Sequence, residues 1–206
     1  MLIYLDTGNL DEITSIMPML NISGITTNPK LADNELANKI SSQFKLPTSI
    51  QVDISNYSNA IVLAKQLHAA NKLNVIKVPI TNPDLGKAII DLGIPVNFTL
   101  CFSFAQVVLA SNLGATMASV FVGRALSHNI TNIGEVLRSS AKYLETSGSK
   151  TKLLAASIRN QAQFELAASS GAHIATLPPK LIREIFDLDN QLSRAGLEQF
   201  QSCFTP

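Results

Sequence analysis

Residues 74–99 read NVIKVPITNPDLGKAIIDLGIPVNFT. An apolar run, NVIKVP (74–79), leads into LGKAIIDLG (85–93), which has helical spacing and a glycine stop at Gly93. A second apolar run, IPVNFT (94–99), follows at once. Strand, helix, strand is the unit that joins parallel strands by a right-handed crossover. The same beat runs through the chain. Strands are expected at 2–6, 22–26, 48–52, 74–79, 94–99, 118–122, 152–157 and 173–177. Helices fall between them, such as residues 59–72, whose apolar positions include Ile61, Ala64, Leu67 and Ala70. Eight repeats without a break predict an α/β protein of the (β/α)8 TIM-barrel class, near the lower end of its usual length. A doubly wound open sheet is the alternative. It would carry a glycine-rich phosphate turn after the first strand, whereas DTGNLDE (6–12) has one glycine and no GxGxxG or GKS/T motif occurs anywhere. The expected organisation is a single domain over 1–206, of which roughly 180–206 is a C-terminal extension of one or two helices.

The bulk properties narrow the function. The chain has 206 residues, a formal net charge of +1 and 46% hydrophobic residues, which suits one sizeable core. Lacking a basic cluster, it offers no footprint for nucleic acid. The N-terminus meets Asp6 without a basic leader, and no apolar run approaches a membrane span, so a cytoplasmic protein with a small-molecule partner is expected. Cys101 and Cys203 form no CxxC pattern, and His68, His128 and His173 share no ligand spacing, so neither a disulfide framework nor a metal site is expected.

In a parallel barrel the chemistry gathers at the carboxyl ends of the strands. Alternation places Tyr4 with Asp6 on one face, and likewise Ser49 with Gln51, Val75 with Lys77, Asn97 with Thr99, Ser119 with Phe121, and Ala155 with Ser157 and Arg159. If those faces point inward, an amine, a carboxylate, amides, hydroxyls and a guanidinium converge at one mouth, joined by the TTNP loop (26–29). Lys77 stands among Val75, Ile76, Val78 and Pro79. Burial disfavours an ammonium and leaves a free amine able to attack a carbonyl. The same lysine could instead reach solvent, or pair with Asp6 for structural reasons. Asp6 could simply organise the Thr-Gly turn that follows it. Arg124 and Arg159, each just beyond a strand, suit bidentate phosphate recognition but could equally form exposed ion pairs.

Seven segments, in order, carry a likeness that spans essentially the whole chain: YLDTGN (4–9), GITTNP (24–29), VIKVPIT (75–81), VNFTLCFSFAQ (96–106), FVGR (121–124), AASIRN (155–160) and ATLPP (175–179). With these the sequence resembles the transaldolases, in the small subfamily shared with fructose-6-phosphate aldolase. The resemblance implies a cofactor-free class I mechanism of the pentose phosphate pathway, in which Lys77 forms a Schiff base with a ketose phosphate. It implies that Asp6 is the acid/base carboxylate, that Thr99 positions a catalytic water, and that Asn28, Asn97 and Ser119 hold sugar hydroxyls. Arg124, Ser157 and Arg159 match the phosphate site. It also implies a homo-oligomer, commonly a decamer of two five-membered rings.

Two positions pull in opposite directions. Transaldolases usually have phenylalanine before VGR, as at Phe121, where the aldolases have tyrosine. They usually have glutamate where this chain has Gln51, and the aldolases have glutamine. Neither side chain present can exchange a proton at neutral pH. Asp6, acting through a water on Thr99, is then left to move protons, with Asp53 as a substitute if it shares the Gln51 face. Three activities remain in view: a transaldolase passing a dihydroxyacetone unit between sugar phosphates, an aldolase releasing free dihydroxyacetone, and a sugar-phosphate-binding barrel of weak activity.

Overall fold

The structure is a computed structural model that describes residues 1–187 and 191–204. Eight parallel strands close into a barrel in sequence order: β1 (Leu2–Asp6), β2 (Gly24–Thr26), β3 (Thr48–Gln51), β4 (Asn74–Pro79), β5 (Val96–Cys101), β6 (Met117–Phe121), β7 (Lys152–Ala156) and β8 (Ile174–Leu177), with β8 pairing back to β1. The helices follow in order: α1 (Leu10–Ile16), α2 (Asn34–Phe44), α3 (Tyr57–Ala70), α4 (Pro83–Asp91), α5 (Phe104–Asn112), α6 (Val122–Ser127), α7 (Ile133–Thr146), α8 (Gln161–Ser169), α9 (Pro179–Phe186) and α10 (Gln191–Gln201). The expected (β/α)8 barrel is the fold. Helix starts are set by short polar side chains: Asn9, Asp33, Asn56 and Asn160 cap α1, α2, α3 and α8, and Ser103 forms a reciprocal capping box with Gln106 on α5.

The core has two parts. Between strands and helices lies a continuous aliphatic shell including Leu5, Ile25, Ile50, Ile76, Phe98, Val120 and Leu153. Inside the barrel, Tyr4, Val75, Met117, Leu154, Ala156 and Ile174 form a separate buried cluster. Four of these lie two residues before a polar inward residue on the same strand: Tyr4 before Asp6, Val75 before Lys77, Met117 before Ser119 and Ile174 before Thr176. The interior therefore has an apolar floor and a polar mouth. Tyr4 fits because Gly24 opposite it has no side chain; a Cβ there would come 2.4 Å from the ring.

Strands β3, β6, β7 and β8 fall within one residue of the sequence expectation at either end, and the larger departures lie elsewhere. Strand β2 is only Gly24–Thr26, since Ile22 and Ser23 still belong to the entry loop. Strand β5 starts two residues late, at Val96 after Pro95, and runs on to Cys101 through a bulge. There Leu100 takes a left-handed conformation (φ 61°), so three steps on β5, from Phe98 to Cys101, span two on β6, from Ala118 to Val120. The β6–β7 connection holds two helices, so Arg124, just beyond β6 as expected, sits on the short helix α6. After β8 come two helices, as expected; the first, α9, buries Leu181 and Ile182 in the aliphatic shell.

Candidate active site

A cavity of about 410 Å³ opens at the carboxyl ends of the strands. That lies within the usual range for small-molecule sites, about 300–1,000 Å³. Its lining includes Asp6 from β1, Gln51 from β3, Lys77 from β4, Thr99 from β5, and Ser119 and Phe121 from β6, with Asn28, Arg124 and Ser157 at the rim.

Lys77 is the buried amine of the cavity. Only 7% of the residue is exposed, and its Nζ donates to the Thr27 carbonyl at 2.5 Å. Burial lowers its pKa from 10.5 to about 8, while the negative charge of Asp6 acts in the opposite direction. Burial thus brings loss of the ammonium's proton down to about pH 8, and the Asp6 charge opposes any further fall. Gln51 is the register partner of Lys77 across β3 and β4, so a neutral amide adjoins the amine.

Among the described residues, Asp6 is the only carboxylate in the lining. Its Oδ1 accepts from Thr26 Oγ1 at 2.8 Å, and Thr26 Oγ1 is 2.7 Å from Thr176 Oγ1. Across the cavity, Ser119 Oγ donates to Asn97 Oδ1 at 2.7 Å and Asn97 Nδ2 donates to Ser49 Oγ at 2.9 Å. Asn97 lies beneath the wall and does not line the cavity; it holds Ser119, which does. Thr99 Oγ1 is buried and has no hydrogen-bond partner. A buried hydroxyl without a partner calls for a water or ligand atom beside it.

The rim is shaped by one close approach. Gly123 N–H donates to the Ser157 carbonyl at 3.0 Å, and a Cβ at Gly123 would lie 2.1 Å from that oxygen. Only glycine lets the start of α6 touch the end of β7, and this brings Arg124 and Ser157 to the same rim. The Arg124 guanidinium carbon stands 5.0 Å from the centre of the Phe121 ring, and Phe102 packs against the same ring edge to face at 6.1 Å.

Three readings need correction. On β7 the inward residues are Leu154 and Ala156, whereas Ala155 is wholly buried in the outer aliphatic shell. Ser157 still reaches the cavity because its backbone turns left-handed (φ 59°) just past the strand and breaks the alternation. Arg159 does not line the cavity; it is exposed, with its Cδ 3.2 Å from the Cβ position of Gly123 and its N–H bound to Gln163 Oε1. Asp53 does not share the Gln51 site. It is exposed after β3 and accepts from the N–H and hydroxyl of Ser55, both at 2.9 Å.

Several lining residues were given no role by the sequence reading: Lys30, Leu100 and Thr176, with Thr26 read only as part of the TTNP loop. Threonine in a strand is common for its shape alone, so Thr26 and Thr176 carry no signal without the register. Leu100 enters only through the bulge.

Comparison with known proteins agrees with this arrangement. Residues 35–205 match the family described as transaldolase/fructose-6-phosphate aldolase. A probable transaldolase of Symbiobacterium thermophilum is 35% identical, over 97% of this chain and 95% of the relative. Probable transaldolases of Clostridium acetobutylicum and Bacillus cereus are 32% and 34% identical, over 97% and 96% of this chain and 95% and 94% of theirs. With the family match covering most of the barrel and these relatives covering nearly all of it, the chain belongs to the transaldolase/fructose-6-phosphate aldolase family.

Proposed function

We propose that the protein is a class I transaldolase that moves a dihydroxyacetone unit between sugar phosphates through a Schiff base on Lys77. The observation that carries this is a buried lysine, its pKa lowered to about 8, lining one cavity with the Asp6 carboxylate. The Lys77 amine attacks the C2 carbonyl of a ketose phosphate, and loss of water gives an iminium. Asp6 takes the proton of the C4 hydroxyl while the C3–C4 bond breaks and its electrons pass into the iminium. An aldose phosphate leaves, and a three-carbon enamine stays on Lys77. Its C3 attacks the aldehyde of an acceptor, Asp6 returns the proton to the new C4 oxygen, and hydrolysis frees the product ketose. Sedoheptulose 7-phosphate with glyceraldehyde 3-phosphate, giving erythrose 4-phosphate and fructose 6-phosphate, is the proposed pair, in the pentose phosphate pathway.

In this reading Asn28 and Ser119 hold the hydroxyls of the dihydroxyacetone part, with Asn97 supporting Ser119. The unpartnered hydroxyl of Thr99 suits it to hold the water lost and regained at the carbinolamine. Arg124 and Ser157 take the phosphate, with Arg159 next to them outside the cavity. No cofactor enters the chemistry. Release of free dihydroxyacetone, the aldolase outcome, needs a proton delivered to the enamine carbon. The wall at Phe121 is aromatic and backed by Phe102, and Gln51 cannot donate an acidic proton, which favours transfer over release. The protein is further proposed to act in the cytoplasm as a homo-oligomer. Phe200 and Phe204, 68% and 86% exposed in the C-terminal segment, are suited to an interface, and among the described residues no helix is long and apolar enough to cross a membrane.

Borohydride reduction with fructose 6-phosphate, followed by peptide mass spectrometry, should place an adduct on Lys77; no adduct leaves a sugar-phosphate-binding barrel as the surviving reading. Glyceraldehyde 3-phosphate formed from fructose 6-phosphate should depend on added erythrose 4-phosphate. Strong formation without that acceptor means an aldolase.

A further inference from the structure

Thr176 on β8 lines the cavity and is 2% exposed, as is Thr26. The three oxygens of Thr176, Thr26 and Asp6 form a row with spacings of 2.7 and 2.8 Å. A threonine hydroxyl has one hydrogen, and an ionised carboxylate only accepts. The hydrogen of Thr26 is therefore committed to Asp6, and the hydrogen between the threonines must belong to Thr176. The row points at the carboxylate. Once Asp6 has taken a proton, the row can turn: Asp6 donates to Thr26, and the hydrogen of Thr26 swings to Thr176. Each direction matches one protonation state of Asp6, and both require an oxygen on residue 176.

We propose that Thr176 is a positioning residue for carbon–carbon cleavage, holding Thr26 in register with Asp6 before and after the carboxylate takes the C4 hydroxyl proton. This rests on the Schiff-base reading above. The charged groups that share the cavity with Asp6 are Lys77 on β4, Lys30 after β2 and Arg124 on α6. On α1, Glu12 accepts from Thr7 Oγ1 at 2.5 Å. The strands that flank β1, namely β2 and β8, present Gly24, Thr26, Ile174 and Thr176 inward, so the hydroxyl row is the polar contact that sheet neighbours give this carboxylate. A buried row of this kind is strengthened by its low-dielectric setting, and losing one member unsettles the rest.

Imine formation at Lys77 needs no proton transfer to Asp6 from the C4 hydroxyl, whereas cleavage does, so the two steps separate the role of Thr176 from general damage. The full-length protein and its Thr176→Val and Thr176→Ser variants are mixed with fructose 6-phosphate, quenched with borohydride after a fixed short time, and the Lys77 peptide is weighed. The uncleaved six-carbon phosphate and the three-carbon remnant give adducts of different mass. Thr176→Val should raise the ratio of six-carbon to three-carbon adduct about five- to ten-fold, the worth of one hydrogen bond. Thr176→Ser should restore it, and kcat should fall with KM little changed. If Thr176→Val does not fold, Thr176→Ala makes the same comparison. Lys77 adducts in an unchanged ratio in a folded variant overturn the proposal alone. No adduct of either mass in the unsubstituted protein overturns the Schiff-base reading, and this proposal with it.

Discussion

Replacing Lys77 by methionine should cost all imine chemistry yet remove a pH-dependent burden on folding. The folded lysine has its pKa lowered from 10.5 to about 8 by burial. Unfolded, it holds its proton up to about pH 10.4. Between those two values the unfolded chain binds more protons than the folded one, so the lysine's contribution to stability rises with pH across the window. Below pH 8 the folded protein must carry a desolvated ammonium. A difference of about 2.5 units, at 1.36 kcal/mol each, makes that burden about 3 kcal/mol at pH 7. Methionine has no proton to carry and a similar shape. It does abandon the bond to the Thr27 carbonyl, at a cost of about 1 kcal/mol or more, but that loss is independent of pH. The stability of Lys77→Met minus that of the native sequence should therefore fall by about 3 kcal/mol between pH 7 and pH 10.5, whatever its offset. Tyr4, whose pKa burial raises, is common to both proteins and drops out of the difference. Urea denaturation of both proteins at half-unit pH steps measures it. A difference that stays flat from pH 7 to 10.5 would refute the claim that Lys77 is a desolvated amine, and with it the physical ground for its nucleophilicity.

The neighbours of Lys77 give further tests. Gln51→Glu sets a carboxylate beside the amine in register, which should raise the pH midpoint of Lys77 trapping by about one unit, the low end of the effect of an opposite charge at close range. Phe121→Tyr gives the aromatic wall a proton donor, and formation of glyceraldehyde 3-phosphate without acceptor should rise by about ten-fold or more, as measured by a coupled assay. Asp53→Asn should leave turnover within about two-fold, because the residue serves an exposed turn with Ser55, and a larger loss would return it to the proton relay. Arg124→Ala should raise KM for phosphorylated substrates about ten-fold or more, and Arg159→Ala by less, since only the first lines the cavity; equal effects would mean that Arg159 swings inward when substrate binds.

The barrel was legible because each strand and its crossover helix carry different periods, and the switch between them can be read without knowing any contact. Inward faces were legible wherever a strand stayed regular, as with Asp6, Gln51, Lys77, Thr99 and Ser119. Reading failed where the backbone left the period of two. Leu100 and Ser157 both take left-handed angles, of 61° and 59°, which cost roughly 1–3 kcal/mol each and which leucine and serine do not advertise. The link between Thr26 and Thr176 was hidden for another reason. Their meaning comes from meeting across β1, from positions 150 residues apart, and only the closure of β8 onto β1 brings them together.

The packed floor beneath the cavity restricts the order of events. Tyr4, Val75, Met117, Leu154 and Ile174 fill the barrel's far end, so no sugar can pass through it. Donor and acceptor must use the same doorway, and the departing aldose has to clear it before the incoming aldehyde can reach the enamine. On the proposed reaction, steady-state kinetics should give parallel lines in double-reciprocal plots, with the released aldose phosphate competing against the acceptor. Intersecting lines would require a second entrance that the packed interior does not provide.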